Sequence, residues 1–103
     1  MFWNRHRDRD AALASDAPLR PAPGVLATSA GEDTVLLHLD RGQYYTLNAV
    51  GGRVWALLGE GCTVPEIIRR LAAEYDAPAE VIAADVAALL ERMTRSALVE
   101  RVD

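Results

Sequence analysis

The chain has 103 residues, enough for one domain with little left over for a second. Half of its residues are apolar and 25% are charged, the composition of an ordinary soluble globular domain. The net charge of −4, with all 11 basic residues arginine, argues against nucleic acid or an anionic membrane as partner.

A domain this small buries only roughly 60–70% of its unfolded surface, so every large apolar residue counts. The first ten residues carry charge, ending in alternating Arg and Asp, with no apolar run behind them, which excludes a secretory signal. No stretch approaches the ~18 apolar residues of a membrane helix, and the expected location is the cytoplasm. Residues 1–23 read as a flexible tail or linker, because Pro18, Pro21 and Pro23 fall within six residues and forbid a regular helix. Phe2 and Trp3 near its start are either incidentally exposed or pin the tail to the domain or a partner. The domain proper is expected over 24–103.

From Gly24 the pattern tightens. Val25-Leu26-Ala27-Thr28 reads as a first strand and Ala30-Gly31-Glu32-Asp33 as a turn. Thr34 to Leu39 is a nearly continuous apolar run, a second strand with one face buried and the other partly covered. Asp40-Arg41-Gly42 supplies turn chemistry. Gly42 to Leu47 is a third strand in which Tyr45 and Leu47 alternate with Tyr44 and Thr46. The three form an antiparallel meander, which leaves two strands as edges.

Helices follow. Asn48 is a good N-cap, and Val50, Val54, Leu57 and Leu58 share one helical stripe flanked by Trp55. Gly51 and Gly52 cost helix propensity and imply close backbone approach to the sheet. After Gly59-Glu60-Gly61, Thr63-Val64-Pro65-Glu66 is a capping box. The second helix carries Val64, Ile67, Ile68, Leu71, Ala72 and Tyr75 on one face. Asp76-Ala77-Pro78 breaks it. The third helix runs to about Arg95 with Ile82, Val86, Leu89, Leu90 and Met93 inward, and Leu98-Val99 folds back onto the core. The fold class is therefore α+β: a three-stranded antiparallel sheet followed by a three-helix bundle, winged-helix-turn-helix-like in order.

Chemistry-bearing residues are few. Cys62 is alone, so it builds neither an internal disulfide nor a cysteine zinc cage, and reads as a small, partly buried thiol. His38 on a strand reads as structural. No Gly-rich phosphate loop follows a strand and no histidine pair has metal spacing, so neither catalysis, cofactor nor metal is expected. A DNA-reading helix needs basic and amide side chains toward the groove, whereas the third helix opens with Glu80 and Asp85.

The order of these pieces resembles the PqqD family. The string from Val35 to Asn48, Trp55, Thr63 to Ile67, the Leu71 and Tyr75 pair, and Ala84-Asp85-Val86 with Leu89-Leu90 carry the resemblance over about three quarters of the chain. This is the family of RiPP recognition elements, which bind leader segments of ribosomally made, later modified peptides. It departs from the family at Ala97, where a glycine often ends the last helix.

The resemblance implies a non-catalytic adaptor. A leader peptide would add as an antiparallel strand to the third strand, along the backbone of Gln43, Tyr44, Tyr45, Thr46 and Leu47. The groove wall would come from Val81, Asp85, Val86, Leu89, Arg92 and Met93. The processing enzyme served would be a leader protease of lasso-peptide biosynthesis, or in the alternative a radical SAM enzyme. Three points stay open in the residues themselves. Tyr44 faces either solvent or ligand, Asp85 is either a solvated charge or a polar handle, and the Thr46 amide faces either the open edge or its neighbour.

Overall fold

The computed structural model describes residues 19–102; the remainder of the tail, with Phe2, Trp3 and His6, lies outside the described residues, as does Asp103. Its elements are β1 (Leu19–Pro21), β2 (Val25–Ala30), β3 (Asp33–His38), β4 (Gln43–Leu47), α1 (Ala49–Gly59), α2 (Val64–Tyr75), α3 (Ala79–Arg95) and β5 (Val99–Arg101). The α+β class holds, with an antiparallel sheet in the order β2-β3-β4 followed by three helices.

Two strands go beyond the three-stranded meander. β1 pairs antiparallel with β5, with Arg20 opposite Glu100 and their side chains joined at 2.7 Å. Leu19–Pro21 was expected in the linker, and the structure places it in the fold instead. The prolines do forbid a helix there, but a three-residue strand needs few amide donors, and Pro21 sits at its end.

The meander register follows the alternation of its residues. Leu36, on the central strand, is opposite Ala27 and Tyr45, and is fully buried. The outer face carries Leu26, Leu37 and Tyr44 in one cross-strand row, with Tyr44 73% exposed. The turn closes with Gly42 at φ +64° and its amide donating to the His38 carbonyl at 2.8 Å.

Side-chain caps set the helix starts. The Asn48 side chain accepts from the Gly51 amide, and the Thr63–Glu66 capping box is complete in both directions. The Thr63 backbone and hydroxyl hold the Glu66 carboxyl below its ordinary range. Arg53 of α1 forks onto Glu74 of α2 through bonds of 3.0 and 2.9 Å; each partner shifts toward its charged form, the carboxyl down and the guanidinium up.

Hydrogen-bonded C-caps finish all three helices. At the end of α3, Leu98 N–H donates to Met93 O (2.9 Å) and Ala97 N–H to Thr94 O (3.1 Å). That is a Schellman motif, whose left-handed position usually takes glycine. Ala97 occupies it at φ +57°. The motif folds Leu98 and Val99 back into the core, 2% and 6% exposed.

The core joins Leu36 and Leu47 of the sheet to Val54, Leu57, Leu58, Ile67, Leu71, Val86, Leu90 and Met93 of the helices. Tyr75, expected on the buried face of α2, is 45% exposed, because the helix ends there at Asp76 in the left-handed region. Among the described residues no helix is long and apolar enough to cross a membrane.

Candidate functional site

β4 is an edge strand: β3 pairs with one side, and among the described residues no strand pairs with the other. The direction of its amides can be worked out from the neighbouring hairpin. Leu39 N–H donates to Gly24 O at 3.0 Å, toward β2. Consecutive residues of a strand direct their backbone groups to alternate sides. Leu37 and Val35 therefore face β2, and His38, Leu36 and Thr34 face β4. Their partners Gln43, Tyr45 and Leu47 turn their backbone to β3. Tyr44 and Thr46 turn theirs to the open edge. The question left by the sequence for the Thr46 amide is thereby answered.

Beside that edge runs a groove bounded by α3, which packs on α2 and β5. It consists of two adjoining hollows of about 570 and 400 Å³ that share Thr46, Leu47, Leu89 and Arg92. One end is walled by Asp33, Asn48, Val50, Ile82 and Asp85. The other is walled by Tyr45, Met93, Ser96 and Leu98. The floor is apolar, with Leu47 and Val86 buried and Leu89 half-buried along it. Charge sits at the rim, where Asp85 and Arg92 are exposed about two turns apart on α3.

Most of the residues expected at the site meet here. Thr46, Leu47, Asp85, Val86, Leu89 and Arg92 line the first hollow, and Tyr45 and Met93 the second. Three do not line it. Val81 is 51% exposed, a helical turn before Asp85, and its neighbour Ile82, inward as expected, lines the hollow in its place. The Tyr44 side chain projects from the opposite face of the sheet, so that residue offers the edge only its backbone. The Gln43 side chain accepts a bond from the Tyr45 hydroxyl at 2.7 Å.

Asp33, Asn48, Val50 and Ile82 were missed. Their signal was present: Asn48 follows the edge strand directly, and Asp33 precedes Thr34, the partner of Leu47. Chemically, an open row of amides and carbonyls beside an apolar trough can hold an extended chain, the backbone giving hydrogen bonds and the trough taking alternate side chains.

Comparison with known proteins agrees with this geometry. The family model described as coenzyme PQQ synthesis protein D (PqqD) matches residues 33–99. The chain belongs to the PqqD family. It is similar to TbiB1, solved in complex with the TbiA(beta) leader peptide, at 33% identity and a TM-score of 0.74, over 79% of this chain and 94% of that one. It also shares the fold of a lasso peptide synthetase B1 complexed with the leader peptide, at 23% identity and a TM-score of 0.75, over 82% and 99% of the two chains. No curated protein sequence matches the chain.

Proposed function

We propose that this chain is a RiPP recognition element that binds the leader segment of a precursor peptide and delivers it to the leader protease of a lasso-peptide pathway. The leader adds as an antiparallel strand to β4, with the Tyr44 and Thr46 backbone as its partners. One observation carries the reading: an open β4 edge over an apolar groove, in a chain 33% identical to a protein solved with a leader peptide in complex.

Gln43 to Leu47 supply the strand, and Leu47, Val86, Leu89 and Met93 take apolar leader side chains. Asp85 and Arg92 take polar ones. A dozen-residue leader buries roughly 1,200–1,600 Å² in such a groove, and affinity rests on two or three anchored side chains. The chain performs no chemistry in this reading. It raises the effective concentration of the cleavage site near the protease. The sheet-and-helix arrangement then serves a peptide, and Asp33 and Asp85 at the groove rim oppose a phosphate backbone. Delivery to a radical SAM enzyme is the less favoured reading, since one of the two solved relatives is a lasso peptide synthetase B1 complexed with the leader peptide.

The test is a titration with the synthetic leader segment of the precursor encoded beside this chain. Wild-type protein binds it, and Asp85→Ala and Arg92→Ala each weaken binding about three- to tenfold without lowering the melting temperature. Unchanged affinity in both variants removes α3 from the site. Absence of binding to wild type removes the function.

A further inference from the structure

Among the described residues, four charged side chains line the two hollows of the groove, and their signs are sorted by end. Asp33 and Asp85 stand with Asn48 in the first hollow, Arg95 stands with Tyr45 in the second, and Arg92 lines both. All four are exposed. Asp33, Asp85 and Arg92 have no ion-pair partner among the described residues, and Arg95 has one loose contact, to Glu91 at 3.9 Å. The groove therefore offers its charges to whatever enters it.

The sorting has a direction. Asn48 follows the last residue of β4 and shares a hollow with Asp85, while Tyr45 shares one with Arg95. α3 thus advances from the Leu47 end of β4 toward the Gln43 end. A guest antiparallel to β4 runs the same way, passing the aspartates first and the arginines last. The scale fits too. Asp85 and Arg92 are about 10 Å apart along the helix axis, and the strand from Gln43 to Leu47 covers about 13 Å. Opposite charges therefore stand near the two ends of the segment that pairs with β4.

We propose that the groove selects its guest by charge order: Asp33 and Asp85 favour a lysine or arginine at the N-terminal end of the paired segment, and Arg92 with Arg95 an aspartate or glutamate at its C-terminal end. The proposal rests on the leader-binding reading above and names the charged side chains that the rim admits. A lysine or arginine suits the first hollow, because its methylene stem lies along Val50 and Ile82 while its head reaches the rim. One exposed ion pair contributes little. Order adds to it, since a guest with its charges exchanged loses both pairs and meets like charge at both ends. A guest of the favoured order that enters parallel to β4 meets the same repulsion, so the rim also fixes the direction of entry.

The probes are two synthetic peptides built on the shortest leader segment that binds wild-type protein, acetylated and amidated so that the termini add no charge. One carries lysine at its N-terminal end and glutamate at its C-terminal end. The other has the two exchanged, which leaves composition and net charge equal. At low salt wild-type protein binds the first about tenfold more tightly, and the ratio shrinks toward one in about 1 M NaCl. The double variant Asp85→Arg, Arg92→Asp inverts the preference, and its melting temperature reports an intact fold. The wild-type ratio and its salt dependence carry the test even where the variant does not fold. Equal affinities of wild type for the two peptides at low salt, or a preference that the folded variant does not invert, overturn the charge order while leaving strand addition standing. Failure of wild type to bind any leader segment overturns both.

Discussion

A Cβ on Gly52 would lie 2.6 Å from the Oγ1 of Thr34. Real Cβ contacts are essentially never that short, so the backbone of the first turn of α1 lies directly against the Thr34 side chain at the start of β3. The approach also seats Val50 and Val54 at the end of the groove. Gly52→Ala gains about 1 kcal/mol of helix propensity and loses about 1–3 kcal/mol to overpacking. Net destabilisation is the expected outcome in urea unfolding. In a Thr34→Ala background, where the Oγ1 is gone and the nearest contact relaxes to 3.4 Å, the same change becomes neutral or stabilising.

Proline separates the two sides of β4. Thr46→Pro removes an amide that faces the open edge, so the sheet keeps its ladder and the protein its melting temperature, while leader affinity falls at least about tenfold. Tyr45→Pro removes an amide that bonds to β3, and unfolds the meander. Thermal melts and titrations on the pair check the register; a Thr46→Pro protein that fails to fold contradicts it.

Ala97 holds a left-handed conformation at φ +57° that suits glycine. The strain for a residue with a Cβ is roughly 1–2 kcal/mol, partly offset by the greater chain entropy glycine loses on folding. Ala97→Gly is expected to stabilise by about 0.5–1 kcal/mol in denaturant unfolding. An unchanged midpoint shows that the Schellman hydrogen bonds already accommodate the alanine.

The Glu66 and Glu74 carboxyls are both held below their ordinary value of 4.5, Glu66 first by the Thr63 amide and Glu74 first by the Arg53 guanidinium. A depressed folded-state value contributes stability that is present above 4.5 and is lost as pH falls through the lower folded value. Melting temperature therefore drops on acidification through that window. Glu66→Gln flattens the drop, and the gap between variant and wild type closes once the pH lies below the lowered folded value. A gap that persists there shows that the charge of Glu66 is not its contribution.

Sequence reading reached the meander, the caps and all three helices because their signals are local: period-two alternation, Asn48, and Thr63 three residues before Glu66. It missed β1 and β5, whose pairing joins Leu19 to Arg101 and leaves no periodicity in segments of three residues. Along the groove it placed the strand and most of α3, yet it put Val81 on the wall and read Ile82 as core alone. Neighbouring residues on a helix are separated by about 100°, and that the groove opens over Ile82 and not over Val81 shows only once α3 is packed on α2 and β5. Asp33 and Asn48 were read as turn and cap, roles that hid their place at the end of the groove.

Strand addition to β4 is tested most directly by amide hydrogen exchange, read residue by residue with and without the synthetic leader. Tyr44 and Thr46, whose N–H groups face the open edge, gain protection when the leader is bound, while Tyr45 and Leu47, already bonded to β3, change little. Binding that leaves the Tyr44 and Thr46 amides exchanging at their free rates contradicts the claim that the leader pairs with this strand.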